Sequence, residues 1–230
     1  EEIDAVMFDA GGTIIDLSPS EQELLIRALA KHGFRVETSA VEKALRKAWR
    51  VFDGDFAKLD GAQEEKFWTR FDEFVLSELG YRGDAEALVK QLSEEFDEIV
   101  PRVDSWAEYP DARPLLEELR SRDFKLGVIS NATDLANRVL ENLDMRKYFD
   151  VVILSEEVGV RKPAAEIFLM AARQVKAQPT RSLYVGDKFA VDILGARAAG
   201  MQAILLDRNN VYPDAQCLKV RDLNALRRFL

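Results

Sequence analysis

Short apolar runs that end in a polar residue, or are followed directly by one, recur near both ends of the chain. The runs lie at 3–9, 125–130, 151–154, 182–186 and 203–206. Helical spacing of apolar residues separates the later runs, near 135–143, 164–175 and 191–199, and a further helix is predicted between Pro110 and Ser121. Strands that alternate with helices predict an α/β fold with a parallel sheet and helices on both of its faces.

The middle of the chain has a different pattern, with helical periodicity from residue 20 to about 100. It predicts four helices, near 20–32, 39–52, 62–79 and 84–99, and the first opens on a capping box of Ser20 and Glu23. Because one strand precedes this segment and the others follow it, the helices form an insertion. We therefore predict a discontinuous core of 1–16 and 104–230, and a helical domain of 17–103.

Composition narrows the classes of partner and the compartment. The 230 residues are 47% hydrophobic and 32% charged, with a net charge of −9, which excludes nucleic acid as an expected partner. The single cysteine, Cys217, cannot form an internal disulfide. The opening residues lack a signal-peptide pattern and no apolar run is long enough to cross a membrane, so we expect a cytoplasmic protein. Nothing in the sequence indicates an oligomeric state.

Four polar motifs lie at the ends of the predicted strands or in the loops after them. They are Asp9-Ala10-Gly11-Gly12-Thr13, Ser130-Asn131, Arg161-Lys162-Pro163, and Gly186-Asp187 followed by Asp192. Ligands of open parallel sheets bind at the carboxyl ends of the strands, so these motifs are expected to converge. Taken singly, Ser130-Asn131 also suits a helix cap, and Asp192 also suits the first turn of a helix.

Together, the four motifs and the helical insertion resemble the haloacid dehalogenase superfamily, in its subfamily with a helical cap, over essentially the whole chain. The resemblance implies a Rossmann-like core with a cap domain inserted between the first two motifs. It also implies a hydrolase, most often a magnesium-dependent phosphatase that forms an aspartyl-phosphate and acts on a small phosphorylated molecule.

The same resemblance implies the roles of the individual side chains. Asp9 would be the nucleophile, and Thr13 would orient its loop through the hydroxyl. Gly12, Ser130, Asn131 and Lys162 would bind the transferring group, and Lys162 would also neutralise charge. Pro163 is expected at the first position of the following helix.

For the metal, the resemblance implies Asp9, Asp187 and the backbone carbonyl of Gly11 as ligands of Mg²⁺. Asp192 would either bind the metal directly or support the residues that bind it, and both alternatives stay open. Oxygen ligands of this kind suit Mg²⁺, which needs only one or two carboxylates. Lys188, directly after Asp187, could compete with the metal.

Gly11 departs from the phosphatase pattern, in which this position carries an Asp that protonates the leaving group. Three readings follow: a phosphatase with a modified acid site, a dehalogenase or phosphonatase type of hydrolase that needs no acid there, and a catalytically weak binding protein. General acid catalysis contributes about 10²–10⁴ in rate, so the loss matters. Substitutes for the acid are Asp16, Asp53, Asp55, Lys58 and Asp60, and the sequence selects none of them.

Overall fold

The computed structural model describes residues 2–60 and 63–230. Contacts divide the chain into two compact units, Glu1–Asp16 with Trp106–Leu230, and Leu17–Ser105. Their assignment as catalytic core and cap domain stays a prediction. Within the described residues, no helix is both long and apolar enough to span a membrane.

Within its described residues, the unit Leu17–Ser105 contains four α-helices. They are α1 (Glu21–Lys31), α2 (Thr38–Phe56), α3 (Glu64–Glu78) and α4 (Ala85–Ile99). The Ser20 side chain accepts the backbone N–H of Glu23, and the Ser20 N–H donates to the Glu23 carboxylate at 2.9 Å, so the predicted capping box is present. Ala62, where the third helix was predicted to begin, lies outside the described residues.

Aromatic rings fill the centre of this helical unit. Phe52 and Phe67 meet edge to face with their ring centres 5.8 Å apart, and Phe71 is fully buried beside them. Such edge-to-face pairs are more favourable than area burial alone would give. The apolar spacing on α2 and α3 therefore produces a core within this unit.

The other unit is built on a six-stranded parallel sheet in the order β5-β4-β1-β6-β7-β8. Numbered along the chain, its strands and the separate pair β2-β3 are β1 (Ala5–Phe8), β2 (Ile15–Leu17), β3 (Trp106–Glu108), β4 (Lys125–Ser130), β5 (Val151–Leu154), β6 (Ser182–Gly186), β7 (Gln202–Leu206) and β8 (Leu218–Val220). The sheet confirms the predicted α/β fold. The sequence did not predict β2, β3 or β8, because three residues are too few to show a period of two.

Five helices accompany this sheet. They are α5 (Ala112–Ser121), α6 (Leu135–Asn142), α7 (Ser155–Val158), α8 (Ala165–Gln174) and α9 (Leu194–Ala198). Pro163 was predicted at the first position of α8, and this is wrong, because the helix begins two residues later at Ala165. The predicted helix 191–199 opens instead with a wider π turn, Phe189–Ile193, which contains Asp192. Such turns are frequent at functional sites.

Gly127 lies where β4 passes the centre of the sheet, opposite Met7 of β1. A Cβ atom at this position would collide with the Met7 sulfur and would lie 2.8 Å from a methyl of Val151. Both neighbours are buried, so the space cannot open freely.

We therefore expect Gly127→Ala to lower the free energy of unfolding by roughly 1–3 kcal/mol through overpacking. The matched control is Gly54→Ala in α2, where a Cβ would meet no atom within 4 Å. That substitution should raise helix stability by about 0.5–1 kcal/mol. Urea unfolding of both variants measures the contrast, and a Gly127→Ala protein as stable as the wild type would contradict the described packing.

Candidate active site

Asp9 stands directly after β1 and is held at the edge of the sheet. Its backbone N–H donates to the carbonyl of Val185 on β6 at 2.9 Å, and its side chain is buried. The chain then turns sharply, because the backbone N–H groups of residues 13–15 converge on the carbonyl of Ala10 at 3.0–3.2 Å. A buried carboxylate is thus fixed at the carboxyl end of a central strand, where parallel sheets bind ligands.

The ammonium of Lys162 is the centre of the site and is only 2% exposed. It donates to Asp9 Oδ1 at 2.6 Å, to Asp192 Oδ1 at 2.7 Å and to the hydroxyl of Tyr184 at 2.8 Å. These three bonds use all three donors of the ammonium. A buried charge is tolerated when it is paired and hydrogen-bonded in this way.

Asn131 fixes the backbone on either side of that lysine. Its Oδ1 accepts the N–H of Lys162 at 2.7 Å, and its Nδ2 donates to the Lys162 carbonyl at 2.9 Å. The amide therefore positions Lys162, whereas the sequence placed it among the groups that bind substrate. Ser130 is buried at the end of β4, immediately before Asn131.

Three carboxylates, Asp9, Asp187 and Asp192, each have an oxygen within 4.8 Å of the others. Asp192 is the most heavily bonded, since Oδ1 accepts Lys162 and Oδ2 accepts the backbone N–H of Lys188 at 2.9 Å. Lys188 Nζ donates to Asp187 Oδ2 at 2.6 Å, the contact that the sequence indicated as a competitor for a metal. Asp192 is therefore engaged in holding Lys162. This contact favours a supporting role for Asp192 over direct binding of the metal.

The electrostatics of the cluster favour a cation. Burial raises the pKa of Asp9 to about 7; Lys162 opposes this shift, and the neighbouring carboxylates Asp192 and Asp187 add to it. Burial also raises the pKa of Asp187, against the effect of Lys188. Burial lowers the pKa of Lys162, but Asp192 and Asp9 outweigh it, so the net shift is upward. Three carboxylates share two ammonium groups, so these residues fit a divalent cation.

Gly12 is the residue that lets the nucleophile loop pass close to Asp187. Its φ of +78° is unfavourable for other residues, and a Cβ would lie 2.6 Å from Asp187 Oδ2. Its N–H donates to the carbonyl of Ile15 at 2.8 Å and so helps to close the turn. The role of Gly12 in binding substrate stays a prediction.

Thr13 contacts the rest of the unit through its backbone. Its hydroxyl is buried and has no hydrogen-bond partner within the described chain, and its role in orienting the loop stays a prediction. The Thr13 carbonyl accepts Arg208 Nη2 at 3.1 Å and so holds the loop. Arg208 forms a two-pronged ion pair with Asp111, with both contacts at 2.8 Å, and lies 3.9 Å above the ring of Tyr109. No sequence motif indicated these contacts of Arg208.

The place of the missing acid is beside an aromatic ring. A Cβ on Gly11 would lie 3.7 Å from Trp106 Cζ3, an ordinary contact, so a side chain could begin there. Of the acidic substitutes named from the sequence, Asp16 lies in the same compact unit as Asp9 and accepts a hydrogen bond from the Tyr109 hydroxyl at 2.5 Å. Trp106, Tyr109 and Tyr184 are site residues that sequence reasoning missed; only Tyr184, a polar group inside an apolar strand, carried a visible signal.

Comparison with known proteins agrees with this fold. Residues 3–200 match the model of the haloacid dehalogenase-like hydrolases. The human haloacid dehalogenase-like hydrolase domain-containing protein 3 is 30% identical over 96% of this chain and 87% of its own. A glyceraldehyde 3-phosphate phosphatase of Methanopyrus kandleri is 31% identical over 93% of this chain and 88% of its own. The solved structure of a phosphatase from Thermococcus onnurineus has a TM-score of 0.62 at 26% identity, covering 99% of this chain and 97% of that one.

The match over residues 3–200 and the similarity of fold thus define the class of protein as a hydrolase. The chain belongs to the haloacid dehalogenase-like hydrolase family.

Lys162→Met should be strongly destabilising, because it leaves the carboxylates of Asp9 and Asp192 buried without their cation. We expect a loss of about 3–5 kcal/mol near pH 8. Without Lys162 the pKa of Asp9 rises further above about 7, so the folded state binds more protons than the unfolded one. The free energy of unfolding should therefore increase as the pH falls from 8 toward 5.

Urea unfolding at several pH values measures this dependence. The control is Lys125→Met at the exposed first residue of β4, which should change stability by less than about 0.5 kcal/mol at any pH. Adding Asp192→Asn to Lys162→Met should recover part of the loss. A Lys162→Met protein with wild-type stability at pH 8 would show that Lys162 does not stabilise the buried carboxylates of Asp9 and Asp192.

Proposed function

We propose that this hydrolase is a phosphatase that cleaves small phosphate monoesters through a covalent intermediate on Asp9. The observation that carries the proposal is the contact of Lys162 with one oxygen of Asp9 at 2.6 Å, beside the carboxylate of Asp187. The names of two relatives, a glyceraldehyde 3-phosphate phosphatase and a ribulose-1,5-bisphosphate 5-phosphatase, support a phosphorylated substrate of low molecular weight.

In this mechanism a carboxylate oxygen of Asp9 attacks phosphorus, and the bond from phosphorus to the leaving oxygen breaks. Water then attacks the phosphorus of the acyl phosphate, which releases inorganic phosphate and restores the carboxylate. Lys162 holds Oδ1 of Asp9, so the other oxygen is presented for attack, and its charge offsets the negative charge that accumulates in both steps. Asn131 keeps the lysine backbone in place during these steps.

Asp9 and Asp187, with the carbonyl of Gly11, are the groups proposed to hold Mg²⁺. When bound, the ion would supply positive charge toward the phosphoryl oxygens and favour the ionised form of Asp9. Asp192 would act through Lys162 rather than on the metal, because both of its oxygens already accept hydrogen bonds. Lys188 would have to release Asp187 Oδ2 or share that carboxylate with the ion.

Gly11 limits the substrates for which this mechanism is fast. No side chain at this position can protonate the departing oxygen, so an alkoxide leaves slowly, whereas a phenolate or a carboxylate leaves readily. We propose that aryl and acyl phosphates are cleaved faster than sugar phosphates. Among the substitutes named from the sequence, Asp16 is the carboxylic acid that lies in the same compact unit as Gly11, and it accepts a hydrogen bond from Tyr109.

One observation favours a second function, a hydrolase whose leaving group needs no proton, as in a dehalogenase. The aromatic ring of Trp106 lies beside Gly11, where an apolar wall would suit a halide or other weakly basic leaving group. Turnover of chloroacetate in excess chelator, with no turnover of phosphate esters, would establish this function instead. Absence of turnover on either class would indicate a binding protein.

Asp9→Asn should reduce phosphatase turnover by about 10³-fold or more, because an amide is a poor nucleophile for phosphorus. Chelation of divalent ions should also stop turnover of the wild-type protein, and Mg²⁺ should restore it. The matched control is Asp123→Asn, an exposed turn residue with a φ of 62° that asparagine readily adopts. Steady-state assays with an aryl phosphate measure both effects, and full activity of Asp9→Asn would refute the covalent mechanism.

The leaving-group series tests the effect of Gly11 separately. Turnover of the wild-type protein should fall steeply as the pKa of the leaving group rises from phenols to alcohols. Gly11→Asp should flatten this dependence, since its Cβ fits beside Trp106. Gly11→Asn, equal in size but unable to donate a proton in the same way, is the control. Equal chemical-step rates for alkyl and aryl phosphates in the wild type would show that another group already supplies the proton.

A further inference from the structure

A second cavity, separate from the cluster around Lys162, lies at the β8 edge of the sheet. Its volume is about 210 Å³, and its wall includes Asp207 after β7, Lys219 and Arg221 at β8, and Asp222 and Arg228 at the two ends of the following 3₁₀ helix. Three cations and two carboxylates thus face one small space. None of these residues takes part in the chemistry described above.

The two carboxylates of this cavity are committed to the backbone. Asp207 accepts the N–H of Val211 at 2.6 Å on one oxygen and that of Tyr212 at 3.1 Å on the other. Asp222 caps the 3₁₀ helix by accepting the N–H of Ala225 at 3.0 Å. They therefore shape the loop and the helix end that form the wall, and their charge is partly offset by these donors.

The cationic side chains of the cavity have donors that are not engaged in hydrogen bonds within the described part of the protein. Lys219 donates to the carbonyls of Tyr212 and Pro213 at 2.6 and 2.7 Å, which leaves one of its three protons. Arg228 makes one long contact from Nε, 3.4 Å to the carbonyl of Ala225. Within the described chain, neither Arg221 nor Arg228 forms an ion pair with a carboxylate. Both guanidinium groups are exposed to solvent at the wall of the cavity, so their remaining donors are accessible to a dissolved anion.

We propose that this cavity binds a small polyvalent oxyanion, either inorganic phosphate or a short phosphorylated or carboxylated metabolite. Guanidinium groups match the oxygens of phosphate and carboxylate through paired N–H donors, and the Lys219 ammonium adds a third contact. The cavity is smaller than the 300–1,000 Å³ typical of drug-sized ligands, so a nucleotide does not fit inside it. The site is independent of the proposed function, because it requires neither Asp9 nor a metal.

Isothermal titration with inorganic phosphate at about 0.15 M salt is the first test. The variant Arg221→Gln/Arg228→Gln removes both guanidinium groups from the cavity wall. The control Arg173→Gln/Arg227→Gln removes the same amount of positive charge from residues that do not line the cavity. Phosphate that binds at the catalytic cluster should be unaffected in both. We expect the wild type and the control to show a class of phosphate site whose affinity falls at least tenfold in the first variant, with turnover of an aryl phosphate unchanged.

Different titrants distinguish the possible chemical classes of the bound anion. Sulfate should compete with phosphate, since it has the same shape, whereas acetate should bind weakly because it carries one charge. A short dicarboxylate that binds more tightly than phosphate would identify a carboxylated metabolite as the ligand class. Equal phosphate binding in the two double variants, or no binding to the wild type, would overturn the proposal.

A labelling experiment needs no variant. Phenylglyoxal modifies accessible arginines, and peptide mass spectrometry reports each one separately. Phosphate should slow the modification of Arg221 and Arg228 at least severalfold and leave Arg227, on the same helix, unchanged. Protection of all three arginines alike, or of none, would mean that the cavity does not hold the anion.

Discussion

The buried ammonium of Lys162 is the interaction on which the site depends. It joins the carboxylate after β1 to the carboxylate in the turn after β6, and Asn131 after β4 fixes its backbone. Three strand ends that are adjacent in the sheet are thus tied by one side chain. Removing that charge leaves two buried carboxylates without their cation, so the geometry of Asp9 and the stability of the sheet edge cannot be separated.

The sequence predicted the parts of this arrangement that local patterns encode. The strands β4, β5 and β6 begin and end where the apolar runs do, because charged and polar residues bound them sharply. The four motifs lie after these strands, so their convergence follows from the parallel topology alone. The four inserted helices were also predictable, since their apolar faces and caps are local features.

What the sequence did not predict are partnerships between distant side chains. Arg208 contacts the carbonyl of Thr13 and the carboxylate of Asp111, and no local pattern relates these positions. The turn after Asp9 satisfies several of its own backbone groups, and its link to Arg208, in the loop after β7, is a contact between residues far apart in the chain. The catalytic, substrate-binding and metal-binding roles of the site residues remain predictions.

The strand order has a consequence for how the protein is made. β1 is synthesised before both of its neighbours in the sheet, because Ala5 pairs with Lys125 on one side and with Ser182 on the other. The helices of Leu17–Ser105 are translated in between and make most of their contacts among themselves. The nascent chain therefore carries an unpaired apolar strand until β4 has been made, a state in which strands tend to aggregate. Only when β6 and the turn with Asp192 have also been made can the charges around Asp9 and Lys162 be balanced, so the cluster assembles after all three strand ends are present.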